Sequence, residues 1–428
     1  MSTQLPPIGY PVAIGAPSPQ ALGAVLDRVA YASLCVFIFA IPWEETVPLF
    51  GGFPVTRWFG MLAFGAGLFR MLTWTQTRRF RELHVWMLAF AAWSSASIIW
   101  TMDPDSTAVR ALTYLQLLLL AWLVWLLGDS EKRVQGLLQS YVLGTCVCAV
   151  STILNLLSGH GYSSGQEVAG EVVQSDRYSA TGLNPNDLGL MIALSIPMIF
   201  YLLARRKDNP VIALFRWGQF VLCMAAVLLS GSRGGLLATF VGLLILPLTF
   251  SRLPRWQRVT AILACAGVVA CGSILVPIDT WQRFLNLGTE ISEGTMTHRT
   301  QIWVASMELF RTHAWLGVGS SAHPAAVVTI IGRPLVAHNT FLSVLVELGI
   351  PGELLLFGLL GAAFFCAWRM TGLERILWVI SLVTWCIGVC GGTWEYRKTT
   401  WFLISLLVSH AYARHRRLHA PSLRREIF

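Results

Sequence analysis

Four short polar clusters interrupt an otherwise apolar chain, and each carries a side chain that can hold a phosphate or move a proton. Arg177-Tyr178 runs into Asn184-Pro185-Asn186, and Ser230-Gly231-Ser232-Arg233-Gly234-Gly235 joins two apolar blocks. His298-Arg299 stands one turn before Trp303, and His338-Asn339 opens a further apolar block. Arginine suits a diphosphate because its planar fork donates two hydrogen bonds at once and stays charged when partly desolvated. Arg233 is the sharpest case, since a charge between two apolar blocks is costly unless it is paired or lines a wet cavity. For Arg177 the competing reading is a side chain that snorkels towards lipid headgroups. His338 titrates near neutral pH and could take the proton of an attacking hydroxyl; a lone histidine at a helix start also serves as a cap. Together the clusters read as a site for an anionic, lipid-linked substrate. Arg177, Arg233, Arg299 and Asn339 would bind it, and His338 would be catalytic.

Glu347 is a poor partner for His338. Nine residues of helix turn it by about 180° onto the opposite face, so it is expected to serve a neighbouring helix. None of the four clusters carries paired-acid or metal-ligand spacing, and the expected mechanism uses no metal and no cofactor.

The elements that must position these residues are membrane spans. Apolar residues make up 55% of the chain and charged residues 12%, and the apolar ones come in blocks, which is not the pattern of a soluble domain. Runs such as Ala111 to Gly128, Gln135 to Leu157, Leu188 to Ala204 and Val259 to Pro277 approach or exceed the ~20 residues that cross ~30 Å of hydrocarbon. They lack the alternation of barrel strands, so helices are expected. Spans are predicted near 29–43, 57–73, 83–100, 109–128, 135–157, 187–204, 211–230, 235–250, 258–277, 339–368, 374–392 and 397–413. Gly349, Pro351 and Gly352 interrupt the tenth, which is therefore expected to be broken, a state tolerated only where protein or water covers it.

The loops give the orientation. Alternate connections carry Arg78, Arg79 and Arg81; Lys132 and Arg133; Arg205, Arg206 and Lys207; Arg252, Arg255 and Arg258; Arg369 and Arg375; and a tail with Arg414, Arg416, Arg417, Arg424 and Arg425. By the positive-inside rule these are cytoplasmic, with both termini. The other connections hold Glu44 and Glu45, Asp103 and Asp105, Glu167, Glu171 and Asp176, and the long stretch from Pro277 to Ala337. All four clusters then lie on the outward side. The net charge of +9 is mostly this orientation signal, so the expected partners are membrane lipids and no nucleic acid. The nine cysteines fall inside predicted spans as small apolar fillers. The Pro-rich N-terminus shows no cleavable leader, and the first span is expected to act as the anchor. The chain thus divides into nine spans over 1–276, an outward loop over 277–338, and three spans with a basic tail over 339–428. Within the loop, Arg299, Ile302, Trp303, Ser306 and Phe310 stand at the spacing of an amphipathic helix.

Taken in order, Arg177 to Asn186, Ser230 to Gly235, His298 to Trp303 followed by Gly317-Val318-Gly319, and His338 to Leu342 running on through Glu347 to Gly352 resemble the O-antigen ligase and polymerase superfamily. Ile41-Pro42-Trp43-Glu44 is similar to the start of many members. The resemblance implies a GT-C-like membrane fold of about twelve transmembrane helices with a long periplasmic loop containing amphipathic helices. It implies an inverting glycosyltransferase of the bacterial inner membrane that moves a glycan from undecaprenyl diphosphate to an acceptor on the periplasmic side. Arg233 and Arg299 would hold the diphosphate, with Arg177 as a further contact, and His338 would activate or orient the acceptor.

The acceptor separates three relatives. A ligase uses the lipid A core of lipopolysaccharide, a polymerase the next lipid-linked repeat unit, and a protein O-glycosyltransferase a polypeptide. The moderate loop and the helix count favour the ligase. A transporter would also have a dozen spans, a broken helix and buried arginines, but it would show two matching halves and polar residues at the midplane, whereas here the clusters gather at one face.

Overall fold

The structure, a computed structural model, describes residues 19–49, 53–73, 78–168, 171–175, 177–205, 209–285 and 299–419. Helix α1 (Pro19–Ala40) ends in a 3-10 turn (Ile41–Trp43), followed by strands β1 (Pro48–Leu49) and β2 (Phe53–Pro54). Then come α2 (Val55–Thr73), α3 (Glu82–Ala96), α4 (Pro104–Leu127) and α5 (Glu131–Leu157). Strands β3 (Tyr162–Val168) and β4 (Glu171–Ser175) form a second antiparallel hairpin that leads to α6 (Pro185–Arg205). Next are α7 (Pro210–Ser230), α8 (Arg233–Leu243), α9 (Ile245–Phe250), α10 (Arg255–Leu275) and α11 (Ile278–Leu285). The chain continues through α12 (Arg299–Thr312), α13 (His323–Ile331), α14 (Thr340–Trp368), α15 (Leu373–Gly388) and α16 (Lys398–His419).

Among the described residues ten helical stretches are long and apolar enough to cross a membrane, α8 and α9 counting as one. The chain is an all-α, multi-pass membrane protein. All twelve expected spans coincide with helices. The two outside the ten are α2, which carries Arg57 and Arg70, and α16, which begins at Lys398 and ends among basic residues. Charge lowers their hydropathy, and tertiary pairing compensates part of it: Arg70 is buried against Asp27 of α1.

Helix α6 is the centre of the bundle. Every residue from Leu188 to Leu203 is buried, as a helix apolar on all sides should be, and α5, α7, α8 and α15 pack around it. Where α6 crosses α8, the backbones meet at Gly189 and Gly235. A Cβ on Gly235 would stand 2.7 Å from the Gly189 Cα, so only small residues allow this approach.

Helix α14 is broken as expected. Pro351 has no N–H to offer the Glu347 carbonyl, and Gly349 stands at φ 66°, ψ −169°. The carbonyls released by the break find partners outside the helix. Val318 and Gly319 donate their amides to Val346 and Glu347 at 2.9 Å each, and Trp93 Nε1 donates to the Leu348 carbonyl at 3.0 Å. In return the Ile350 amide donates to the Ala314 carbonyl at 2.9 Å. The segment 314–319 thus lies along the break and satisfies backbone that lipid could not.

The basic connections collect at one end of the bundle and pair with acids there: Arg133 with Asp27 and Asp129, Arg205 and Arg417 with Glu131, and Arg205 and Arg414 with Glu374. At the other end lie Arg177, Asn186 and Ser232, joined by hydrogen bonds, and Arg233, Arg299 and His338, joined by their charges.

Candidate functional site

The turn between α7 and α8 organises the first part of the site. Gly231 closes α7 at φ 56°, a left-handed C-cap, and Ser232 caps α8 by accepting the Gly235 amide at 3.1 Å. Ser232 Oγ also donates to Asn186 Oδ1 at 3.1 Å. The same Asn186 oxygen receives the Arg177 guanidinium at 2.9 Å, while Arg177 Nε donates to the Ser230 carbonyl at 2.9 Å. Arg177 therefore fastens the hairpin side of the site to the turn. Arg233, half-buried, is the first residue of α8.

Arg299 begins α12, one turn before Trp303, as the spacing predicts. Trp303 Nε1 donates to the carbonyl of Ala337 at 3.0 Å, which docks α12 beside the residue that precedes His338. A second clamp runs from Ser306 Oγ to His323 Nε2 at 2.8 Å and from His323 Nδ1 to the Leu335 carbonyl at 3.0 Å. Around it a small core of Ala305, Leu309, Val318, Ala322, Val327 and Val346 joins the loop to α14. His298 lies outside the described residues.

His338 stands at φ 50°, a left-handed conformation that few side chains adopt without a surrounding structure that imposes it. Asn339 is the N-cap of α14 and accepts the Leu342 amide at 3.1 Å, so its carbonyl oxygen is used on the protein itself. Thr340 Oγ1 donates to the Gly392 carbonyl at 2.9 Å and accepts the Trp394 amide at 2.8 Å. This ties the connection between α15 and α16 to the first turn of α14. Trp394 Nε1 and Arg397 then donate to the two oxygens of Asp187, at 2.8 and 3.0 Å.

The electrostatics show which charges converge. Arg299 is lowered from its ordinary value, first by burial and then by the positive charge of Arg233. His338 is lowered by burial and by Arg299, against an opposing pull from Asp187. Arg233 thus acts on Arg299, and Arg299 and Asp187 act on His338, from four segments far apart in the chain. Among the described residues no carboxylate pairs with Arg299. The arrangement offers guanidinium groups for an anion and, beside them, an imidazole whose charged form burial and Arg299 disfavour.

Asp187, Trp394 and Arg397 were not singled out by the sequence reading. Asp187 follows directly on the Asn184-Pro185-Asn186 cluster, and that adjacency is the signal that could have found it. A second buried network is also new. Arg110 of α4 pairs with Glu395 at 3.2 Å, stacks over the Tyr396 ring at 3.5 Å and donates to Ser321 Oγ at 3.1 Å. The Ser321 amide donates to Glu347 at 2.7 Å. Glu347 thus serves other elements and not His338.

A comparison with curated proteins finds no match. Residues 218–357 match the family model described as O-Antigen ligase. The matched segment runs from α7 into α14 and contains Arg233, Arg299, His338 and Asn339, while Arg177 and Asp187 precede it. Members of that family are glycosyltransferase-like enzymes of O-antigen assembly. The match covers about a third of this multi-pass membrane protein and holds three of its four polar clusters.

Proposed function

We propose that the chain is an O-antigen ligase, which transfers a glycan from undecaprenyl diphosphate to the lipid A core of lipopolysaccharide at the periplasmic face of the inner membrane. The observation that carries this reading is Arg299. It is a partly buried guanidinium, repelled by Arg233, with no carboxylate partner among the described residues and with His338 close enough to feel its charge. Such a cation favours an anion, and a diphosphate supplies one with the geometry of the arginine fork. The basic connections at the opposite end of the bundle support the periplasmic placement.

In the proposed step the acceptor oxygen forms a bond to the anomeric carbon as the bond from that carbon to the diphosphate oxygen breaks. The bonding pair leaves with the diphosphate, and the hydroxyl proton passes to His338. Attack comes from the side opposite the leaving group, so configuration inverts. Arg233 and Arg299 stabilise charge that grows on the leaving group, which lowers the barrier more than it stabilises the ground state. Arg177, tied to Asn186 and Ser230, holds the Arg233 turn in place. Asn339 fixes the start of α14 and with it the position of His338.

The test is transfer by the purified protein from an undecaprenyl-diphosphate-linked glycan to isolated lipid A core, with His338→Ala as the comparison. Glycan-capped core formed by the wild type and lost in the variant is the expected result. Longer lipid-linked chains without capped core would make the protein a polymerase, and no transfer to either acceptor would sink the transferase reading.

A further inference from the structure

The arginines at the basic end of the bundle fall into two sets. One set, which includes Arg133, Arg205 and Arg414, pairs with Asp27, Glu131 and Glu374. Arg81, Arg369 and Arg375 form the other. All three are exposed, and among the described residues none of their guanidinium groups meets a carboxylate; each rests on an aromatic ring. Arg81 stands 5.2 Å from the centre of the Tyr412 ring, Arg369 5.4 Å from that of Phe365 and Arg375 5.6 Å from that of Trp368. A guanidinium held by its face keeps its N–H groups, which point outward in its plane, for an anion.

The three belong to one patch. Helices α3 and α14 pack side by side, so closely that a Cβ on Gly358 would stand 2.3 Å from the Trp86 ring. The charges of Arg81 and Arg369 both reach the Cys366 thiol, as does that of Glu82. Arg375, on the Trp368 ring, adjoins Arg369. Three cations against one acid leave the patch positive by two. Further along the same two helices, away from the basic end, the outer faces are apolar and exposed, with Val85 and Leu88 on α3 and Phe357 and Phe365 on α14. Trp368, also exposed, stands at the boundary between charge and apolar surface, the place that tryptophan takes at a membrane interface. An acidic soluble partner would match the charge and leave the apolar faces unmatched. A phosphate headgroup above acyl chains matches both. We propose that this patch binds an anionic phospholipid of the leaflet at the basic end, with Arg81, Arg369 and Arg375 on the headgroup phosphate and the acyl chains along α3 and α14. The site lies at the opposite end from Arg233, Arg299 and His338 and does not depend on the ligase reading.

The test is native mass spectrometry of the full chain in detergent, titrated with phosphatidylglycerol or with phosphatidylcholine of the same acyl chains. The arginines are exposed, so the double variant Arg81→Ala, Arg369→Ala and the single variant Arg375→Gln should both fold. Arg255→Ala removes an exposed arginine from the connection between α9 and α10 and controls for diffuse charge. The expected result is that the wild type binds phosphatidylglycerol roughly tenfold or more tightly than phosphatidylcholine, that Arg375→Gln reduces this preference about fivefold, and that the double variant abolishes it. Arg255→Ala should keep the preference. The proposal is overturned if the wild type binds the two lipids equally, if the double variant retains the preference, or if Arg255→Ala loses as much of it as Arg375→Gln, which would assign the effect to the general charge of the basic end.

Discussion

Ser321 donates its backbone amide to the Glu347 carboxylate at 2.7 Å while holding φ at 66°. One residue of the long loop is thereby fastened, in a conformation unfavourable to most side chains, to a buried acid of a broken helix. Its hydroxyl accepts from Arg110 of α4, so loop, α4 and α14 share one polar joint.

Removing that joint should cost stability before it costs chemistry. Glu347→Ala leaves the Ser321 amide unsatisfied and takes a negative charge away from Arg110, a loss of about 2–3 kcal/mol. The melting midpoint in detergent should fall clearly, with Glu347→Gln between the variant and the wild type. An unchanged midpoint for Glu347→Ala would show that the joint contributes nothing.

The break in α14 should not tolerate a side chain. A Cβ on Gly349 would stand 2.3 Å from the Trp315 carbonyl oxygen, at a φ of 66°. Left-handed strain alone is about 1–2 kcal/mol, and the clash adds to it. Gly349→Ala should therefore reduce the yield of folded protein and shorten its half-life in detergent, whereas full yield and half-life would mean that the kink adjusts freely.

The arginines should be intolerant of lysine. Arg233→Lys and Arg299→Lys keep the charge and lose the fork, and on the proposed reading each should slow transfer by about ten- to a hundredfold, equivalent to roughly 1.4–2.7 kcal/mol. Membrane insertion should be normal. Near-wild-type rates in either variant would remove that residue from the diphosphate site.

The pH profile should report His338. A base acts when unprotonated, so kcat/KM should rise with pH through the pKa of His338 in the free enzyme. Burial and Arg299 lower that pKa from 6.5, which puts the midpoint of the acid limb below 6.5. Asp187 pulls the other way, so Asp187→Asn should move the limb further down. A limb above 6.5, or one that ignores Asp187, would assign the titration to another group.

Chelation should leave the rate unchanged. The proposed mechanism balances diphosphate charge with arginines alone, and loss of transfer in EDTA with recovery on added magnesium would count against it.

Much of the frame was legible because span length and loop charge are local signals. The broken helix was readable from Gly349, Pro351 and Gly352, and α12 from the spacing of Arg299, Ile302 and Trp303. The hairpin of β3 and β4 was not, since a polar stretch between spans carries no hydrophobic period. In the Ser230–Gly235 turn the small residues admit a close approach, which is that of α6, through Gly189 and Gly235. Charged pairs were the least legible part. Arg110 with Glu395 and Arg397 with Asp187 join residues 285 and 210 positions apart, and no local pattern announces such partners.

The seam between residues 314–319 and the kink of α14 also sets an order of events at the ribosome. The amides of Val318 and Gly319 are made before the carbonyls of Val346 and Glu347 that receive them. By the time the broken span emerges, the segment that completes it already exists. A chain that delayed the loop, by truncation or circular permutation, would ask α14 to enter the bilayer with its kink uncovered.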